Sequence, residues 1–218
     1  AYPALMLLAA AWAFDPLRRP TPRWLAAIGW LALGGVALGL PIAAMAAAFY
    51  AEKRVDIFGL IGLGFGAALI ALLWRTARGG QWARAALLGA VLSIPVYAAV
   101  LEGVIPRLNA VWVSPRLATE VRAAAPGLAD RDFGVVGYHE PSLQFALGGG
   151  IALLRDGAAA AEFLAQKPGR VVAVSHRQEA AFRAAAAERG ITPRDVASVT
   201  GLNYVRGRWL TLLIFKVD

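Results

Sequence analysis

The chain has 218 residues, 59% of them hydrophobic and 17% charged, with a formal net charge of +8 at pH 7. Soluble domains carry about 25% charged and 45–50% apolar residues, so this balance excludes an ordinary soluble domain and points to a membrane protein. Cysteine is absent, which excludes disulfides and thiolate metal sites.

Apolar runs crowd the chain before Pro106 and charges thicken after it. Two parts are therefore expected: a helical transmembrane region over 1–105 and a polar domain over 106–218. The chain opens on Ala1 inside an apolar run, with no basic n-region or A-x-A site before it. That start is expected of a piece of a longer polypeptide, not of a signal peptide. Residues 1–14 are too short to cross a bilayer and read as one truncated transmembrane helix. Residues 24–50, 57–74 and 85–105 read as three full ones, since a span needs about 20 apolar residues.

The connecting loops carry a topology signal. Arg18, Arg19 and Arg23 lie in the first and Arg75, Arg78 and Arg84 in the third, while Glu52 and Asp56 offset Lys53 and Arg54 in the second. The positive-inside bias places the first and third loops in the cytoplasm and the polar domain in the periplasm of a bacterium. Trp12, Trp24, Trp74 and Trp82 fall near the cytoplasmic ends, as an aromatic belt would. Net charge held in such loops sets topology and does not point to nucleic acid.

Inside the spans, "GVALG" (Gly35–Gly39) and "GLGFG" (Gly62–Gly66) put small residues four apart, a spacing that lets helix backbones approach closely in lipid. Pro41 and Pro95 are expected to kink their helices, because each removes a backbone donor. Glu102 reads as either an interfacial residue or a functional intramembrane carboxylate. No row of buried charges marks an ion path, which counts against a transporter. Lys53 and Arg54 read either as ordinary loop charge or as a clamp for a lipid phosphate at headgroup level.

After a linker and helix up to Gly127, elements alternate. "FGVVGY" reads as a buried strand, "PSLQFALG" as a short helix, "IALL" as a strand, and "GAAAAEFLAQ" as a helix. "RVVAVSH" reads as a strand and "RQEAAFRAAAAERG" as a helix closed by Gly190. "DVASVTGLNYV" and "RWLTLLIFKV" form a hairpin around "RG". This order predicts a small α/β domain with a mixed sheet, parallel at first and antiparallel at its end. Its one eye-catching constellation is "VVGYHEPSLQF". His139, Glu140 and Ser142 sit where the first strand ends, the place where open α/β sheets put ligands. Either Glu140 caps the helix that Pro141 opens while His139 packs on the strand end, or the pair touches a substrate. His176 is expected to serve a surface or capping role. There is no P-loop, nucleophile elbow, G-x-G-x-x-G after a strand or metal-ligand spacing.

The segments "GYHEPSLQFALG", "DGAAAAEFLA", "VVAV" and "GLNYVRGRWLTLLIF" together resemble the C-terminal periplasmic domain of polyprenyl-phosphate-dependent glycosyltransferases of the GT-C fold. That superfamily includes protein O-mannosyltransferases and the lipid A aminoarabinose transferase, and bacterial glycosyltransferase family 39 is the most similar branch. The resemblance implies an inner-membrane enzyme that moves a sugar from a polyprenyl-phosphate donor to a lipid, glycan or protein acceptor, in contact with membrane lipid and not with nucleic acid. It implies a catalytic carboxylate in an early periplasmic loop, to which no residue here corresponds. The piece by itself is thus expected to be inactive, with no catalytic residue, no cofactor and no metal ligand; a divalent metal is an option only for the full-length enzyme. Lys53, Arg54, Arg206 and Arg208 would offset phosphate charge, and Tyr138, His139, Glu140 and Asn203 would line the substrate cavity. The rival expectation is a non-enzymatic, membrane-anchored periplasmic binding domain.

Overall fold

A computed structural model describes Ala11, residues 23–203 and residues 207–217. Apart from Ala11, the truncated span over 1–14, with Trp12, lies outside the described residues, as do Arg18, Arg19 and Arg206. The chain divides into two compact units, the first ending at Leu108 and the second beginning at Asn109.

The first unit holds three helices long and apolar enough to cross a membrane: Ala26–Glu52, Ile57–Arg78 and Arg84–Arg107. The shortest has 22 residues, about 33 Å at 1.5 Å per residue, enough for a hydrocarbon core of about 30 Å. The first is α1 (Arg23–Gly34), a π-helical turn (Gly35–Gly39) and α2 (Leu40–Glu52). The second is α3 (Ile57–Arg78). The third is α4 (Trp82–Ala98), a π-helical stretch (Ala99–Val104) and a 3-10 turn (Ile105–Arg107). The first π segment adjoins a proline, with Leu40 N–H bonding back to Gly35 O next to Pro41; in the second, which begins four residues after Pro95, Ile105 N–H bonds to Val100 O. In the first, the proline lacks the N–H that the carbonyl four residues earlier expects, and the helix absorbs the deficit by widening locally.

α3 is the packing centre. Gly59, Gly62 and Gly66 form a buried stripe on it, about one residue per turn. A Cβ on Gly62 would meet Pro41 at 3.3 Å and Ala99 at 3.4 Å, and one on Gly66 would lie 2.8 Å from the carbonyl carbon of Ala37 and nearer its oxygen. So "GLGFG" is a close-approach surface, as its spacing predicted. "GVALG" is not: nothing lies within 4 Å of a Cβ on Gly35 or Gly39, and these glycines instead begin and end the π turn. Large apolar side chains such as Ile28, Leu31, Leu87 and Ile94 point outward, compatible with contact to lipid.

The second unit is an α/β sandwich. A 3-10 turn (Asn109–Val111) leads into α5 (Val113–Ala124), and Asp130–Asp132 forms another before β1 (Phe133–Val136). Then come α6 (Pro141–Leu147), β2 (Ala152–Leu154), α7 (Gly157–Ala165), β3 (Val171–Ser175), α8 (His176–Glu188), β4 (Arg194–Asn203) and β5 (Arg208–Lys216). The sheet order is β2-β1-β3-β5-β4. β1 runs parallel to β2 and β3, whereas β5 is antiparallel to β3 and β4, the mixed sheet the sequence pattern predicted.

β1 and β3 are buried at every residue, because helices cover both faces; hence their uninterrupted apolar runs. Successive side chains serve alternate faces. Val135, Ala173, Leu212 and Ile214 pack with Val113, Leu117 and Val121 of α5 and Leu143 of α6. Val136, Val172, Val174 and Phe215 pack with Phe163 and Leu164 of α7 and Phe182 of α8. Asp156 caps α7 by accepting from Ala159 N at 2.9 Å. Gly190, at φ 68°, follows α8 with its N–H on Ala187 O, the closure that was predicted there. β1 is shorter than "FGVVGY" implied, because Gly137 turns to φ 82° and takes the chain out of the ladder.

Candidate functional site

The chain's path makes a crevice. From β1 it passes through α6 on one face to β2; it then returns through α7 on the other face to β3, on the opposite side of β1. β1 thus feeds a helix on one face while β3 feeds α8 on the other. In open α/β sheets the carboxyl ends of two such strands splay their connections apart, and the gap between them receives ligands.

A cleft of about 190 Å³ occupies this position, with Gly137 from the end of β1, Ser175 from the end of β3, and Arg177 and Gln178 from the first turn of α8. The β4–β5 hairpin adds Asn203, Arg208, Trp209 and Leu210. Ser175 is only 4% exposed. It holds the N-cap position of α8 but makes no capping bond, and its hydroxyl has no hydrogen-bond partner among the described residues. Gln178 Oε1 accepts from Gly157 N at 3.3 Å, which fixes that side chain toward α7. Among the described residues no carboxylate lines the cleft. Glu179, in the same first helical turn, accepts from Arg183 at 2.9 Å and lies 3.0 Å from His176 Nδ1; Arg183 first and His176 second hold its carboxyl below the usual carboxylate range. The cleft is therefore basic, and its polar groups are mainly donors.

Of the predicted residues, Asn203 and Arg208 belong to this cleft and Arg206 lies outside the described residues. Tyr138 is buried toward the opposite face, where its hydroxyl is 2.8 Å from Ser114 Oγ, itself 2.8 Å from Ser142 Oγ. That chain of hydroxyls ties β1 and α6 to α5. Glu140 occupies the N-cap position of α6 but makes no side-chain capping bond, so the expected cap is not formed. His139 is exposed and does not pack on the strand end. His176 is exposed at the start of α8, the surface role expected of it.

Lys53 and Arg54 belong to the first unit and are differently placed. Lys53 is exposed, with φ 53°, at the end of α2. Arg54 donates to Glu52 at 2.7 Å, to Asp56 at 2.6 Å and to Arg107 O at 2.8 Å. Asp56 is 2% exposed and caps α3 through Phe58 N. The Arg54 guanidinium thus braces the loop, and Lys53 is the cation left facing outward. Glu102 is exposed on the π-helical stretch of the third span.

Sequence reasoning missed Ser175, Arg177, Gln178 and Trp209. Their local signal is "VSHRQ", a strand-final serine followed at once by a helix opening on a cation, but its meaning depends on strand order. Among the described residues no group of three or more His, Asp and Glu side chains is placed to hold a metal ion. Comparison of the chain with models of known families, with curated proteins and with solved structures found no match.

Proposed function

We propose that this chain is part of a bacterial inner-membrane glycosyltransferase that moves a sugar from a polyprenyl-phosphate donor to a lipid, glycan or protein acceptor, with its α/β domain in the periplasm. The observation that carries the reading is the order of parts: three membrane-length apolar helices, then a small mixed α/β domain, the layout implied by the resemblance of "YHEPSL" and "GLNYVRGRW". Arg75, Arg78 and Arg84 flank the α3–α4 turn, whereas the loop between α2 and α3 balances Lys53 and Arg54 with Glu52 and Asp56. That asymmetry favours a cytoplasmic α3–α4 turn and an external α/β domain.

Within this reading the chain binds, and the reaction's base comes from elsewhere in the protein. Transfer needs a group that deprotonates the acceptor, and the described residues of the cleft offer cations, amides and a hydroxyl but no carboxylate. The same feature favours a second reading, a membrane-anchored periplasmic domain that binds without catalysing. The two separate in one assay. Membranes containing the gene product that carries this chain are given radiolabelled polyprenyl-phosphate hexose or pentose. Label should pass to the lipid, glycan or protein fraction. Correctly inserted protein that moves no label to any fraction would leave only the binding domain.

A further inference from the structure

We infer that the cleft between the carboxyl ends of β1 and β3 is a binding site for a phosphate ester. The first ground is Ser175. The residue is 4% exposed, and what it exposes lines the cleft. Its hydroxyl oxygen is not sealed from solvent and has no hydrogen-bond partner among the described residues, so it is held in place by its packed surroundings and open to a ligand. The second ground is the helix behind it. α8 has 13 residues, and its first-turn N–H groups have no intrahelical acceptor, so the dipole's positive end and several donors sit beside the free hydroxyl.

Charge and space agree with this. Arg177 and Arg208 line the cleft from α8 and from β5, and among the described residues no acidic side chain does. Two guanidiniums, a hydroxyl and backbone N–H groups offer more donors than a carboxylate can use, but they suit the oxygens of a phosphate, which guanidinium binds in a forked geometry. Gly137 keeps the floor open. Its φ of 82° is one L side chains rarely adopt, and a Cβ there would stand 2.8 Å from Ser175 Cβ and nearer its hydroxyl. At about 190 Å³ the cleft is smaller than the roughly 300–1,000 Å³ of sites for drug-sized ligands. It suits a phosphate with the first part of its ester, beside the partly exposed ring of Trp209. The site stands on the α/β domain alone, so a chain that transfers no sugar would still carry it.

The test is calorimetric titration of the full chain in detergent micelles with inorganic phosphate, glucose 1-phosphate and dihexanoyl phosphatidic acid, acetate serving as the carboxylate control. Saturable one-to-one phosphate binding is expected, weakened about tenfold or more by Arg177→Gln, Arg208→Gln or Ser175→Ala. Arg155→Gln, whose exposed side chain pairs with Asp156 outside the cleft, should bind like the parent. Arg177 and Arg208 are both exposed, so their variants keep the fold, as an unchanged unfolding midpoint will verify. Tighter binding of glucose 1-phosphate than of the phosphatidic acid identifies a water-soluble ester; the reverse identifies a lipid headgroup. The inference is overturned if the parent binds none of the three phosphates, if acetate binds as tightly, or if the Arg177→Gln/Arg208→Gln double variant keeps full affinity.

Discussion

Gly66→Ala should weaken the helix packing of the membrane region, and Gly64→Ala, two residues away on the same helix, should not. A methyl group on Gly66 would lie 2.8 Å from the carbonyl carbon of Ala37, where ordinary contacts begin at 3.4 Å. The obstacle is backbone, so no rotamer change relieves it. The first span must move away from α3 by at least about 0.6 Å at that carbon, loosening the neighbouring contact of Gly62 with Pro41. Overpacking of this kind costs about 1–3 kcal/mol. A Cβ on Gly64 meets nothing within 4 Å, so that variant feels only helix propensity, where alanine is better than glycine by about 1 kcal/mol. The propensity gain is common to both, so the two variants should differ by the overpacking cost, about 1–3 kcal/mol. Titration from mild detergent into SDS, followed by far-UV circular dichroism, reads the difference as separated midpoints, Gly66→Ala earliest. Coincident midpoints, or a later one for Gly66→Ala, would refute the close approach of α3 to the π turn.

Two further outcomes are expected. Lys167 first, at 2.6 Å, and Arg170 at 3.5 Å hold the Asp132 carboxyl below the usual carboxylate range. A depressed carboxylate stabilises the fold fully above its unfolded value of about 3.9 and loses that contribution as pH falls through the folded value. Thermal midpoints should thus be flat from neutral pH to about pH 5 and drop below about pH 4, with a shallower drop in Asp132→Asn; identical acid slopes would count against the ion pair. In the first unit, Arg54→Ala strips Asp56 of its charge partner and should cost about 1–2 kcal/mol, the guanidinium being partly screened by solvent. Lys53→Ala should stay within about 0.5 kcal/mol, and equal losses in detergent unfolding would remove the bracing role of Arg54.

The legible features were those that depend on local composition. Spans announce themselves through some twenty apolar residues in a row, and the completely buried β1 and β3 through "GVV" and "VVAV". Gly62 and Gly66 were legible as a packing pair because only a small residue lets backbones meet. Gly35 and Gly39 share that spacing and do not pack, since Pro41 reshapes their turn and spacing alone does not say which face turns inward. His139 and Glu140 stand out in the sequence as polar residues beside a strand, yet one is exposed and the side chain of the other makes no capping bond. The cleft was only half legible. Asn203 and Arg208 were picked out through resemblance, whereas Ser175 matters only because β3 lies beside β1 and not beside β2. Strand order is set by long-range pairing, which no local run of residues records.

The domain treats two neighbouring helix starts differently, and the contrast bears on what the cleft does. α7 begins with Asp156, whose side chain accepts the Ala159 N–H; Ala159 N–H first and Arg155 second hold that carboxyl low. α8 begins with Ser175, a residue equally suited to capping, which leaves its first turn open. An unmade serine cap forgoes about 1 kcal/mol, and the left-handed turn at Gly137 carries the extra chain entropy of glycine. Both sacrifices fall on the walls of one cleft. A fold selected for stability alone would close that turn with the hydroxyl already in place; leaving hydroxyl and helix N–H groups free together preserves a set of donors for an incoming anion. Local rules broken together at one place, and obeyed next door, mark a site shaped for something outside the chain.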